Sequence, residues 1–243
     1  ATGNGVDYLA NAEALTIAAG SLSASFTITA VQDTLQEGNE SIALSISAIN
    51  GSSVAESASI NLTIEDDDVP LQLQIIVNEI LYDPSNNALE GDANGDTIYR
   101  QAEDEFIEFV NLSSQPADLS GFMIYDTEAL TTNTPRHIMP AGTIIPPGKA
   151  LVVFGGGIPT GSFGGALVQT STTGNMNLNN AGDIMTLTDT AGQVIVTFDI
   201  TPLSGNPNES YTRNPDLTGA FEQHTDNTSL LFSPGTKIDG SPF

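Results

Sequence analysis

The stretch Leu71-Gln72-Leu73-Gln74-Ile75-Ile76-Val77-Asn78-Glu79-Ile80-Leu81 is a longer and more apolar strand pattern than any segment before it. An apolar run of this length, rich in Ile and Val and followed by Asp83-Pro84, indicates a buried strand. Elsewhere in the chain no segment sustains a period of 3.6 residues, and Pro or Gly interrupts each candidate helix. The pattern therefore predicts an all-β protein.

Upstream of this stretch the dominant period is two. Apolar side chains alternate with Ser and Thr from Leu22 to Ala30, and the same alternation returns twice more before residue 66. Gly and Asn punctuate these runs as turns. Alternation of this kind is typical of half-buried strands. The predicted strands are 13–18, 22–31, 41–49 and 56–65.

Downstream the chain has short strand patterns separated by long loops. A polar segment at 83–104 carries no strand pattern, and Pro- and Gly-rich segments divide the remainder. The predicted strands are 106–111, 122–125, 150–154, 185–189 and 194–199. The change of texture near residue 69 predicts two domains, 1–68 and 72–243, joined by a linker at 69–71.

The charge excludes several classes of function. Five Lys and Arg stand against 30 Asp and Glu in 243 residues, a net charge of −25. Such a polyanion suits neither nucleic-acid binding nor electrostatic attachment to anionic membranes. The absence of Cys excludes a disulfide scaffold, a zinc finger and a thiol enzyme. No apolar run reaches the roughly 18 residues of a membrane span.

Composition and chain ends indicate a compartment. Gly, Asn, Ser and Thr are abundant, Lys is nearly absent, and the chain opens on the loop-like Ala1-Thr2-Gly3-Asn4-Gly5 without an initiator Met. This balance suits a bacterial protein that is extracellular or on the cell surface. We expect further domains of the same polypeptide upstream.

Three acidic segments of the first domain resemble the Calx-β domain, an extracellular-type β-sandwich. They are Gly5-Val6-Asp7-Tyr8, Val31–Glu40 with its Glu37-Gly38-Asn39-Glu40 corner, and Glu65-Asp66-Asp67-Asp68. The resemblance covers 1–68 and implies a sandwich that lacks its first strands. It implies calcium ligands at Asp7, Asp33, Glu37, Asp66, Asp67 and Asp68, a backbone carbonyl near Leu35, and a further acidic position at Glu40. Gln32 departs from the family, which often has Asp there.

A physical reading stands beside this resemblance. If the three loops meet at one end of a sandwich, their carboxylates repel one another, and a hard divalent cation relieves that repulsion. The alternative is a solvated acidic end without metal, which is the usual state of a charge run. Both readings remain open at this point.

The second domain resembles the lamin-tail domain in its bacterial form. The resemblance rests on Ile76–Pro84, Glu105–Asn111 and Asp118–Phe122, followed by later segments. These later segments are Pro146-Pro147-Gly148, Asn179–Asp183, Ser210–Arg213 and Phe232–Lys237. It implies an immunoglobulin-like β-sandwich over about 72–243. The predicted fold is therefore two tandem immunoglobulin-like β-sandwiches, the first incomplete at its N-terminus.

Within the second domain, Asp92 to Glu103 matches the twelve-residue calcium loop. Asp92, Asn94 and Asp96 take positions 1, 3 and 5, Ile98 offers the carbonyl of position 7, and Glu103 takes position 12. Thr97 stands at position 6, where Gly is expected. Asp104 or Glu105 could replace Glu103. The alternative is a turn that Asn, Asp and Gly favour without any metal.

Catalysis finds little support in the sequence. The two histidines, His137 and His224, lie in no metal-ligand or nucleophile motif, and a lone loop histidine is usually a surface residue. We expect no enzyme. The favoured function is a calcium-binding structural or adhesive module of a bacterial surface protein or fibre, with protein partners or self-association by strand complementation. The alternative is an accessory binding domain of a secreted nuclease or phosphatase.

Overall fold

The structure is a computed structural model that describes residues 6–11, 15–33, 38–45, 59–66, 73–87 and 89–243. The chain forms two compact units, residues 1–70 and 71–243. The strands of the first unit are β1 Tyr8–Ala10, β2 Ile28–Ala30, β3 Glu40–Ser45 and β4 Ser59–Ile64. No helix within the described ranges is long and apolar enough to cross a membrane.

The described residues of the first unit form two antiparallel strand pairs. β1 pairs with β2, and β3 pairs with β4 from Glu40 opposite Ile64 onward. The predicted strands 41–49 and 56–65 are confirmed over β3 and β4. The prediction for 22–31 holds only over β2. Next to this strand, the Thr27 N–H donates to the side-chain oxygen of Asn11 at 2.9 Å instead of to a backbone carbonyl. The backbone pairing of β1 with β2 ends there. Residues 15–18 form no strand.

The second unit is built from a large sheet, a smaller sheet and several short elements. Its strands are β5 Ile75–Leu81, β6 Phe106–Asn111, β7 Ala117–Asp118, β8 Met123–Tyr125, β9 His137–Ile138, β10 Ile144–Ile145, β11 Ala150–Phe154, β12 Leu167–Thr170, β13 Ile184–Thr188, β14 Val194–Asp199, β15 Tyr211–Asn214 and β16 Ala220–Gln223. The predictions for 106–111, 150–154 and 194–199 are confirmed, and those for 122–125 and 185–189 differ by one residue. The whole protein is all-β, as predicted.

Among the described residues, two α-helices and two 3₁₀ turns depart from the expectation of a helix-free chain. The helices are α1 Gln101–Asp104 and α2 Thr127–Thr132. Asp126 caps α2 by accepting the Ala129 N–H at 2.7 Å, and Asn133 ends it in a left-handed conformation. Helices this short lack the length that a 3.6-residue period needs to be seen in sequence.

The large sheet runs in the order β12-β11-β6-β5-β15-β16, and only β11 and β12 pair in parallel. The small sheet runs β14-β13-β8-β9. The main core contains apolar side chains from both sheets. The large sheet supplies Ile75, Val77, Ile80, Ile107, Phe109, Leu151, Val153 and Tyr211, and the small sheet supplies Ile124, Met185, Leu187 and Phe198. This is the face-to-face packing of a β-sandwich.

The large sheet is also covered on its other face. Leu81, Phe106, Val152 and Phe154 form a second apolar cluster there, which partly buried Phe163 and Phe232 cover. The rings of Phe106 and Phe154 meet edge to face at 5.6 Å, and those of Phe106 and Phe232 at 6.5 Å. Strands β6 and β11 are therefore buried on both faces, which explains their nearly continuous apolar sequences.

A β-bulge in β5 sets which side chains reach this second face. Val77 pairs with Phe109 and Glu79 pairs with Glu108, so Asn78 is the extra residue. Val77 and Ile80, three residues apart, consequently both point into the main core. The bulge therefore places Glu79 directly opposite Glu108.

Candidate metal site

The loop from Asp92 to Glu103 lies between β5 and β6 and is tied to the folded body. Asn94 is fully buried, and its N–H donates to Asp104 Oδ1 at 3.2 Å. Its carbonyl accepts the Thr160 N–H at 2.7 Å, so a second segment supports the loop. That support needs Gly157, because a Cβ there would lie 2.4 Å from Asn94 Nδ2. The loop is consequently preorganised.

The first half of the loop is wrapped around its own side chains. Asp92 Oδ2 accepts the Thr97 N–H at 2.9 Å, Asn94 Oδ1 accepts the Asp96 N–H at 2.9 Å, and Asp96 Oδ1 accepts the Ile98 N–H at 2.8 Å. Thr97 has φ = 72°, the left-handed conformation for which position 6 favours Gly. The sharp turn that Thr97 put in question is therefore present.

One carboxylate oxygen of this loop has no partner. Asp92 Oδ1 is buried and accepts no hydrogen bond within the part of the chain that the structure describes. A buried charged oxygen without a donor is destabilising by itself. The oxygen-rich set of Asp92, Asn94 and Asp96 suits a hard cation such as Ca²⁺, which binds 6–8 oxygens.

The second half of the loop differs from the predicted ligand set. Glu103 lies in α1, and its Oε1 forms an ion pair with Arg100 Nη1 at 3.3 Å. Ile98 has a half-exposed side chain, and its carbonyl is the group that position 7 would use. Among the described residues, no group of three or more His, Asp or Glu side chains is arranged to hold a metal. The first half of the loop supplies two carboxylates and an amide, those of Asp92, Asp96 and Asn94.

Neither proposed substitute for Glu103 points into the loop as a free carboxylate. Asp104 is buried and accepts the N–H groups of Asn94 and Arg100. Burial raises its pKa to about 6, those hydrogen bonds oppose the shift, and the charge of Asp92 adds to it. Glu105 instead accepts the Leu178 N–H at 3.3 Å, and burial raises its pKa well above the ordinary value.

Hydrogen bonds connect some of the acidic segments of the first unit. Asp66 Oδ2 accepts the Gly38 N–H at 2.6 Å, and the Asp66 N–H donates to Asn39 Oδ1 at 3.0 Å. Val31, which lies two residues before Asp33, donates its N–H to the Asp7 carbonyl at 2.9 Å. Glu40 begins β3 opposite Ile64. Of the other predicted ligands, Leu35, Glu37, Asp67 and Asp68 lie outside the described residues.

Both histidines are buried, so their expected surface position is wrong. His137 Nε2 lies 2.8 Å from Gln169 Oε1, and burial lowers the His137 pKa. The Nδ1–H of His224 donates to the Leu230 carbonyl at 2.8 Å, and Nε2 lies 3.0 Å from Ser233 Oγ. These hydrogen bonds satisfy both rings inside the fold.

Sequence reasoning missed a buried pair of carboxylates, Glu79 and Glu108. Glu79 accepts Ser210 Oγ–H at 2.6 Å, Ser233 N–H at 2.8 Å and Ser233 Oγ–H at 2.7 Å. Glu108 accepts Asn78 Nδ2–H at 3.0 Å and Gly235 N–H at 2.7 Å. The available signal was a charged residue inside each of two apolar strand patterns.

Burial raises the pKa of both carboxyl groups. The charge of His224 is the main factor that opposes the shift at Glu79, and the charge of Glu79 adds to the shift at Glu108. The donors to the two carboxyl groups include Ser210, which precedes β15, and Ser233 and Gly235, which follow β16 next to Phe232 on the second face of the large sheet. The pair thus fastens the C-terminal segment to the sandwich.

Comparisons with known proteins agree with the fold. Residues 69–202 match the Lamin Tail Domain family, whose members are non-catalytic immunoglobulin-like domains. No curated protein matches the chain, and no solved structure does. The match covers more than half of the sequence and the strands β5 to β14 of the sandwich, so the chain belongs to the lamin tail domain family.

Proposed function

We propose that this chain is a non-catalytic, calcium-binding, extracellular structural or adhesive module of a bacterial surface protein or fibre. The observation that carries the proposal is Asp92 Oδ1, a buried carboxylate oxygen without a hydrogen-bond donor in a preorganised loop. Asp92, Asn94 and Asp96 would hold the ion, with the Ile98 carbonyl as the next ligand and Glu103 available once it leaves Arg100. A bound Ca²⁺ would supply positive charge where the fold supplies no donor.

The resemblance of the first unit to a Calx-β domain extends this proposal. Its support is local: the bonds from Asp66 to Gly38 and Asn39 bring the terminal acidic segment to the acidic corner. We infer a second calcium-binding region from Asp7, Asp33, Glu40 and Asp66 together with Leu35, Glu37, Asp67 and Asp68. In this unit ten acids and no base occur within residues 1–70, so bound cations would lower a strong local repulsion.

The non-catalytic part of the proposal is supported by the position of the histidines. Both rings are enclosed and hydrogen-bonded, so neither is placed to exchange a proton with a substrate. The lamin tail family adds support, because it is a family of non-catalytic immunoglobulin-like domains. The charge of −25 argues against DNA as the ligand.

Self-association by strand complementation is supported by the exposed apolar side chains of the first unit. Leu9, Leu22, Phe26, Ile60 and Leu62 are all at least one-third exposed, and Ile42 is its one buried hydrophobic residue among those described. A sandwich with a complete set of strands would cover such side chains. Size-exclusion chromatography of the purified chain tests this part, because a stable monomer at all concentrations contradicts it.

The calcium proposal is tested by isothermal titration calorimetry of the whole chain with CaCl₂. We expect saturable binding, and we expect Asp92→Asn to abolish one class of sites. Asp226→Asn removes an equal charge at an exposed position and serves as the control. Absence of calcium-dependent heat in the wild type, with an unchanged melting temperature in chelator, would disprove the proposal. Asp66→Asn tests the first unit separately.

A further inference from the structure

A polar groove of about 400 Å³ lies on the second unit, beside the C-terminal end of the calcium loop and away from Asp92, Asn94 and Asp96. One wall is the segment 175–180, in which Met176 and Leu178 turn into the core while Asn177 and Asn179 are exposed. The opposite wall contains Gln101 and Ala102 of α1. Because buried and exposed residues alternate along 175–180, the side-chain amides of Asn177 and Asn179 line the groove.

The floor of the groove is an incompletely paired carboxyl group. Glu105 is 4% exposed, and its single hydrogen bond is the long one from the Leu178 N–H to Oε2 at 3.3 Å. Its Oε1 accepts no hydrogen bond from the residues that the structure describes. A carboxyl group buried to this degree ordinarily has several donors.

The neighbouring carboxyl groups differ because their donors are present. Asp183 accepts the N–H groups of Thr127 and Asn179, at 2.9 and 3.0 Å. Asp126 accepts Arg136 Nη2–H at 2.8 Å as well as the cap of α2. Glu105 is thus the carboxyl group at the groove that has room for another donor.

The charge and shape of the groove select the ligand. No Lys, Arg or His lines it, and Asp83, Asp126 and Asp183 lie close enough to act electrostatically on Glu105. A cationic donor complements this site. One such carboxyl group with amides is a poor divalent-metal site, and the groove has no aromatic lining on which a sugar ring could stack.

We propose that this groove binds the side-chain ammonium group of a lysine on a protein partner, with Glu105 as its acceptor. A lysine ammonium is a compact charge on a thin aliphatic stem, so it reaches a floor that a planar guanidinium fits less well. At the rim, Asn177 Nδ2–H donates to Asp126 Oδ2 at 2.8 Å and Asn179 Oδ1 accepts the Ala181 N–H at 2.9 Å, so Asn177 Oδ1 and Asn179 Nδ2–H are the groups that would meet the partner's backbone. The inference rests on the second unit alone and is independent of calcium.

The test is a ¹H–¹⁵N NMR titration of the whole chain with Nα-acetyl-lysine methylamide at millimolar concentrations. We expect saturable shifts at the Leu178 N–H and at the side-chain amides of Asn177 and Asn179. Nα-acetyl-norleucine methylamide, which keeps the four-carbon stem and lacks the ammonium group, should cause none. Equal shifts with norleucine, or no saturable shift with the lysine probe, overturn the proposal. Stronger binding of glucose or of CaCl₂ at the same resonances overturns it in favour of a sugar or a metal.

Two variants and a control identify the acceptor. Glu105→Gln keeps the shape and should weaken lysine binding about tenfold, whereas Asp226→Asn should leave it within about twofold. Unchanged affinity in folded Glu105→Gln overturns the proposal. If that variant does not fold, Ala102→Leu decides, because it fills the groove without touching the carboxyl group. Unchanged binding in Ala102→Leu then overturns it.

Discussion

Glu79 and Glu108 lie directly opposite each other on neighbouring strands, and both side chains are 0% exposed. Two like charges in that position are mutually destabilising unless donors or protons compensate them. Here Ser210, Ser233 and Gly235 supply donors from a segment more than 120 residues away. The pair therefore couples the sandwich to its C-terminal segment.

The first prediction concerns the extent of the folding unit. A chain of residues 73–202 ends where the family match ends and lacks β15, β16 and most donors to Glu79 and Glu108. We expect it to fail to fold cooperatively, because stripping the partners from buried charges costs about 3–5 kcal/mol. Urea unfolding followed by circular dichroism measures this, with residues 73–243 as the control. Equal stability of the two chains would contradict the prediction.

A second prediction concerns the acceptor capacity of Glu79. Its two oxygens accept three donors, whereas an amide has a single oxygen. Glu79→Gln is therefore expected to lower the free energy of unfolding by about 1–3 kcal/mol. The exposed Asp226→Asn should change it by less than about 0.5 kcal/mol. If Glu79→Gln lowers the free energy of unfolding by no more than the control does, the hydrogen bonds from Ser210 and Ser233 to Glu79 do not contribute to stability.

The third prediction is a pH dependence. Burial raises the pKa of Glu108 above its ordinary value of 4.5, so between these two values the folded chain holds more protons than the unfolded chain. Its contribution to stability is complete below pH 4.5 and is lost as the pH rises through the raised pKa. We expect the free energy of unfolding to fall over this window.

Glu108→Gln isolates that contribution, since glutamine does not titrate. The free energy of unfolding of the wild type minus that of Glu108→Gln should be highest near pH 4.5 and should decrease as the pH rises through the raised pKa of Glu108. Urea unfolding at a series of pH values measures it, with Asp226→Asn as a variant that should follow the wild type. A difference that is independent of pH would be incompatible with the raised pKa.

A fourth prediction uses the unpartnered oxygen of Asp92. In chelator, Asp92→Asn should be neutral or slightly stabilising, because it removes a buried charge and retains an oxygen for the Thr97 N–H. In calcium at about 100 times the Kd, the wild type should gain about 2.7 kcal/mol per site, and the variant should lack the gain from this loop. Thermal unfolding with and without calcium shows which of the two proteins, wild type or Asp92→Asn, has the higher melting temperature in each condition. If the same protein is the more stable one in both conditions, the result argues against the site.

The fifth prediction concerns the turn at Thr97. A left-handed backbone at a β-branched residue is strained, so Thr97→Gly should raise the stability by about 1 kcal/mol. Thr201→Gly, at an exposed position without a positive φ, should lower it through the entropy of the unfolded chain. Chemical denaturation of both variants checks the sign. If Thr97→Gly is less stable than the wild type, the Thr97 side chain stabilises the fold by more than its backbone strain destabilises it.

Local patterns were sufficient for much of the fold. The strands at 106–111, 150–154 and 194–199 follow from apolar side chains within a few neighbouring residues. The turn from Asp92 to Ile98 follows from side chains that bond to the backbone at most five residues away. Such interactions act within a short segment, so composition and spacing reveal them.

The sequence by itself determined an all-β, strongly acidic chain of the lamin tail family, and it led us to propose calcium binding at the loop from Asp92 to Glu103. Only the tertiary structure decided that Glu79 opposes Glu108, because a one-residue bulge at Asn78 sets that register. It also decided that Glu105 closes a groove against Asn177 and that both histidines are buried. These outcomes depend on strand order and on contacts between distant segments. A local sequence pattern does not specify which distant residues will cover a side chain and remove it from water.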